Sequence, residues 1–143
     1  MAVATESTAS GVRPQTQEQD VRPSISVDSL WKVFGKNPER ALLEEHRGKS
    51  RAEIQQELDL VVTLREVSFN VAPGETFVVM GLSGCGKSTL VRCLIRLIDK
   101  TSGSITVDGE DISEYDTNQL REFRRSKVAM VFQNYGLLPH KNV

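Results

Sequence analysis

The sequence predicts an α/β fold, and three observations predict it. The apolar run Thr76–Met80, TFVVM, enters a glycine-rich stretch, Gly81–Thr89, GLSGCGKST. From Lys87 onward Leu90, Leu94 and Leu97 recur at helical spacing, so a strand, a tight loop and a helix follow one another. On either side, LREVSFNVAPGE and SGSITVDGEDI carry alternating apolar residues and turn signals, the pattern of an antiparallel β unit.

Taken in chain order, residues 1–23 are rich in Ser, Thr, Gln, Glu and Pro and poor in large apolar groups. Such a segment buries too little surface to offset its ordering entropy, and the expectation is a disordered tail. The stretch ISVDSLWKVFG predicts a short strand at Ile25 and Val27, then a loop bearing Trp31 and Phe34. Residues 37–59 read as an inserted helical hairpin. Its first helix has an Asn cap, Pro at the first position and Gly48 at the end; its second opens on Ser50 with Glu53 three residues on. Val67, Phe69 and Val71 alternate before a turn at Pro73–Gly74, and TFVVM predicts a short strand covered on both faces. A hairpin is expected to turn at Asp108–Gly109, and a helix to start at Asp116, capped with Gln119. KVAMVFQ predicts a second buried strand ending on Gln133.

The chain has 143 residues, 38% of them hydrophobic, and a net charge of −1, so nothing marks it as a nucleic-acid binder. No apolar run approaches the ~18 residues that span a bilayer, and the N-terminus lacks a basic start followed by an apolar stretch. Cys85 and Cys93 have no metal-ligand spacing, and His46 and His140 stand alone.

GLSGCGKS fits the spacing G-x-x-x-x-G-K-[ST] between a strand and a helix, which is what polyphosphate binding requires. A polyphosphate needs many converging donors. Gly81, Gly84 and Gly86 let the backbone around Ser83 and Cys85 curl so that successive N–H groups point inward. The helix start adds free N–H groups and the positive end of its dipole. Lys87 supplies a full charge for the β- and γ-phosphates, Ser88 an oxygen for Mg²⁺, and Thr89 a hydroxyl for the α-phosphate. A plain glycine turn explains neither the lysine nor the two hydroxyls.

With three further stretches added, residues 25–143 resemble the ATP-binding subunits of ABC transporters, members of the P-loop NTPase fold. WKVFG resembles that family's aromatic A-loop, which places Phe34 against adenine, with Trp31 as second candidate and a core aromatic as the alternative. SGSITVDGEDI resembles the hairpin after the phosphate-loop helix. VAMVFQ resembles the Q-loop, which gives Gln133 a contact to Mg²⁺ or the attacking water. LWKVFGKNPERA, the insert after it, MGLSGCGKSTLVRCLIRLI and LREFRRSKVAMVFQNYGLLPH look most like the glycine betaine/proline betaine (quaternary amine) uptake class. The resemblance implies ATP and Mg²⁺ as cofactors. It implies an integral membrane permease, a substrate-binding protein and a second ATPase subunit as partners, at the cytoplasmic face of the inner membrane.

The family also carries a Walker B aspartate, a catalytic glutamate, an LSGGQ segment and a switch histidine, none of which occurs in this sequence. The expectation is therefore an N-terminal part of a nucleotide-binding domain, residues 24–143, with an incomplete core sheet and an inserted helical hairpin, able at most to bind nucleotide. Two rival readings stand beside it: an ATPase for another small solute such as an amino acid, and a non-hydrolytic remnant. A GTPase would need an N-K-x-D guanine reader, and no such run is present.

Overall fold

The computed structural model describes residues 22–131. Four strands form one antiparallel sheet in the order β2-β1-β3-β4: β1 Ile25–Phe34, β2 Val61–Val71, β3 Ser102–Val107 and β4 Glu110–Asp111. Between β1 and β2 lie a 3-10 turn, Pro38–Leu42, and two helices, α1 Glu44–Arg47 and α2 Arg51–Leu58. Helix α3, Lys87–Leu94, precedes β3, and α4, Thr117–Lys127, follows β4.

Strand β1 runs through Trp31 to Phe34, so the loop expected there is strand. The period-2 pattern breaks because of bulges. Val27 pairs with Phe69 and Leu30 with Val67, which leaves one extra residue on β1; Ser29 sits there at φ 48° and donates its N–H to Ser68 Oγ at 2.8 Å. The extra residue shifts the alternation, and Val27 and Leu30 face the same side. A further bulge lies on β2. Lys32 pairs with Leu64 and Val33 with Val62, leaving Thr63 as the surplus residue.

The two faces of the sheet are buried by different elements. Val27, Leu30, Leu64 and Ile105 pack with Leu90 and Cys93 of α3 and Phe123 of α4. Trp31, Val33 and Val62 pack with Ala41 and Ile54 of the insert and with Leu60 just after it. Arg65 ties the insert down by donating to the Lys49 carbonyl at 2.8 Å and the Arg47 carbonyl at 2.6 Å. Its guanidinium also lies 5.3 Å from the Trp31 ring centroid. Within the insert His46 is buried, with Nε2 3.0 Å from Glu45.

The second helix of the insert opens on the expected capping box: Glu53 donates its N–H to Ser50 Oγ, and Ser50 donates its N–H to the Glu53 carboxylate. The first opens differently. Asn37 adopts φ 56° with no side-chain cap, and Pro38–Leu42 winds as a 3-10 turn before the four-residue α1. Asp108–Gly109 turns the β3–β4 hairpin as expected. Asp116 caps α4, accepting from Asn118 N at 2.7 Å and Gln119 N at 2.8 Å, while Gln119 Oε1 accepts from Asp116 N. Asp116→Ala is expected to lower stability by about 1 kcal/mol, read as a lower thermal midpoint.

Two expected strands are not formed. Thr76–Met80 pairs with no strand among the described residues, and its side chains are exposed, Val78 at 67% and Met80 at 86%. Its one aromatic, Phe77, stacks on Phe69 with ring centroids 4.6 Å apart. Strand propensity alone cannot hold a segment whose backbone groups find no neighbouring strand. Val128–Val131 likewise forms no strand, and Val131 is 96% exposed. Helix α3 stops at Leu94, leaving Leu97 outside it and about half exposed.

Candidate functional site

The loop Gly81–Gly86 is shaped by glycines where their freedom is needed. Gly84 and Gly86 lie at φ 79° and 103°, in the left-handed region. At Gly86 space is short as well: a Cβ there would stand 2.9 Å from the Thr63 carbonyl and 3.2 Å from Leu64 Cδ2. The surplus residue of the β2 bulge is thus the surface on which the loop rests. At Gly81 a Cβ would meet Cys85 Sγ at 2.7 Å, so the loop also closes on itself.

Gly86 is the N-cap of α3, in the left-handed conformation and without any side-chain cap. The first intrahelical bond runs from Leu90 N to Gly86 O at 2.9 Å. The opening N–H groups of α3, at Lys87, Ser88 and Thr89, are therefore left to an outside acceptor, at the positive end of the helix dipole. Lys87 folds back over the loop and donates to the carbonyls of Gly81 and Leu82, both at 2.7 Å, with Cys85 Sγ 3.6 Å away. An ammonium held by two loop carbonyls beside the uncapped start of α3 suits an anion with several oxygens. Ser83 and Ser88 are exposed and Thr89 half-buried, so the hydroxyls lie at the loop surface and the helix start. The residues present fit a triphosphate with its Mg²⁺.

The two aromatic candidates separate cleanly. Trp31 is buried at 5% exposure beneath Arg65 and the insert, and it belongs to the core. Phe34, at the last position of β1, is 39% exposed. Its backbone partner is Val61, and Thr63, the loop's support, is two residues further along the same strand. Phe34 and the loop therefore both meet the first residues of β2. Gln133 lies outside the described residues.

The two thiols differ. Cys85 is exposed in the loop and Cys93 is buried in the core. Burial pushes the Cys93 thiol above its ordinary value, with Lys32 pulling it down and Asp99 pushing it up. A neutral alkylating reagent is expected to modify Cys85 first and leave Cys93 unmodified in the folded chain, as read by peptide mass mapping.

Two contributors were not legible in the sequence. Thr63 owes its place to a bulge, which no residue pattern announces. Lys32 looks like an ordinary strand lysine, yet its ammonium lies 4.7 Å from the Phe34 ring centroid.

The family model described as ABC transporter matches residues 64–143. This chain belongs to the ABC transporter family. Among ABC relatives it is 47% identical over 121 residues to the trimethylamine N-oxide transport system ATP-binding protein TmoW of Pelagibacter ubique, covering 85% of this chain and 35% of that protein. It is 44% identical over 119 residues to the glycine betaine/proline betaine transport system ATP-binding protein ProV of Salmonella typhimurium, covering 83% of this chain and 30% of that protein. The chain thus spans about a third of the length of these curated ABC relatives. A solved dimeric ATP-binding cassette in a post-hydrolysis state, bound to ADP and Pi, superposes with a TM-score of 0.60 at 25% identity, over 81% of this chain and 41% of that one. The fold is that of the P-loop NTPases, in its ABC ATPase form.

Proposed function

We propose that the chain forms the N-terminal part, residues 24–143, of the ATP-binding subunit of an ABC importer for osmoprotectants of the glycine betaine type. The loop supports nucleotide binding most directly, because its three glycines, free helix start and inward lysine converge on one anion site. The cargo class rests on the relatives. A match of 119 or 121 residues in a chain of 143 takes in the insert 37–59 as well as the loop.

When bound, ATP supplies a phosphoanhydride whose cleavage can power conformational change. The chain's own residues receive it. Lys87 moves its ammonium from the Gly81 and Leu82 carbonyls onto the β- and γ-phosphates, exchanging neutral acceptors for charged ones. Backbone N–H groups from Gly84 to Thr89 bind the remaining oxygens, Ser88 holds Mg²⁺ through its hydroxyl, and Thr89 bonds the α-phosphate. Phe34 stacks on adenine. Gln133 reaches Mg²⁺ or the attacking water and passes the state of the site to a membrane permease. A second ATPase subunit and a substrate-binding protein complete the importer, at the cytoplasmic face of the inner membrane. Among the described residues no helix is long and apolar enough to cross a membrane, in keeping with attachment through the permease.

Cys85 provides the test. Mg–ATP is expected to slow alkylation of Cys85 at least tenfold, because the loop backbone closes around the phosphates, and tripolyphosphate should protect equally. Unchanged labelling at saturating Mg–ATP would remove the nucleotide from this loop.

A further inference from the structure

We propose that Lys32 is the positioning residue for Phe34, holding the ring in place from one face so that the other is presented to the nucleobase. The inference rests on the reading of Phe34 as the base platform. Lys32 and Phe34 are two residues apart on β1, the surplus residue of the bulge there lying on β2, and so share a face of the sheet, opposite the face of Trp31 and Val33. The Lys32 ammonium lies 4.7 Å from the centroid of the Phe34 ring, within range of attraction to its negative face.

That ammonium is itself anchored. It donates to the Asp99 carbonyl at 2.7 Å, in the segment between α3 and β3. Asp99 is held in turn by Arg96, whose Nε lies 3.2 Å from the Asp99 carboxylate. Two residues on, Thr101 fastens the same segment to β1: its N–H donates to the Trp31 carbonyl at 2.8 Å, and its Oγ accepts from Val33 N at 2.9 Å. Lys32 therefore joins the end of β1 to the chain leaving the helix that begins in the phosphate loop. A ring 39% exposed at a strand end would otherwise sample several rotamers. Fixing it before the base arrives removes an ordering cost from binding. Lys32 acts through Phe34 and needs no contact with the nucleotide.

The test compares Mg–ATP with magnesium tripolyphosphate, which lacks the base, by calorimetry on the full chain. Lys32→Met keeps most of the aliphatic stem and removes the cation. It is expected to weaken ATP binding about threefold to fivefold and to leave tripolyphosphate binding unchanged, with Lys32→Arg restoring ATP affinity. Equal losses for both ligands would overturn the proposal by making Lys32 a phosphate contact or a general support, as would unchanged ATP affinity in Lys32→Met. Phe34→Ala separates the two levels. If it lowers ATP affinity while Lys32→Met does not, only the role of Lys32 fails; if it changes nothing, the base platform fails and the role of Lys32 with it. Should Lys32→Met melt below the working temperature, failure of the folded Lys32→Gln variant to separate the two ligands overturns the proposal equally.

Discussion

Lys87→Ala is expected to lower ATP affinity by at least about 100-fold, since each hydrogen bond to a charged group contributes about 1.5–3 kcal/mol and the ammonium would make more than one. In the free chain the same group bridges the carbonyls of Gly81 and Leu82, so the substitution also removes two bonds that shape the loop. Those bonds are exposed to solvent and contribute little to global stability. The expected pattern is thus a large loss of affinity with a nearly unchanged melting midpoint. Calorimetry and thermal melts on the same preparation check it. Retained affinity would show that the phosphates bind elsewhere.

Gly86→Ala is expected to have the second largest effect, and on both quantities. A residue other than glycine at φ 103° is strained, and its Cβ would stand 2.9 Å from the Thr63 carbonyl. Backbone strain of this kind costs about 1–3 kcal/mol, and relief requires the loop to lift from the β2 bulge. The opening N–H groups of α3 then lose their aim, and ATP binding falls with stability. Gly84→Ala isolates the two causes. Its φ of 79° is also left-handed, but a Cβ there meets nothing within 4 Å, so it carries strain without the clash. Denaturant titrations should rank Gly86→Ala below Gly84→Ala. The reverse order would contradict the packing of the loop on Thr63.

The loop Gly81–Gly86 and the start of α3 were legible because glycines at left-handed turns and a helix start are set by residues close in sequence. Caps were legible for the same reason, Ser50 with Glu53 and Asp116 with Gln119 being local bonds between near neighbours. The β1 strand was truncated in the sequence reading because its bulge at Ser29 shifts the alternation and hides Leu30, Trp31 and Val33 as strand residues. Propensity then led too far in the other direction. TFVVM and VAMVF have the composition of buried strands, but pairing is a property of neighbours, and Thr76–Met80 and Val128–Val131 have no strand partner among the described residues. The resemblance of WKVFG ranks Phe34 ahead of Trp31, and burial, which depends on the insert covering one face of the sheet, separates the two. Lys32 gave no signal at all, since its partner carbonyl at Asp99 is distant in sequence.

The central claim is that the backbone from Gly81 to Thr89 encloses the triphosphate of ATP. It is tested most directly by titrating the nitrogen-15-labelled chain with Mg–ATP and following amide resonances. The account predicts saturable shifts concentrated at Gly84 to Thr89, with the Lys87→Ala chain giving none at the same concentrations. Shifts that leave those amides in place, or that persist in Lys87→Ala, would contradict it.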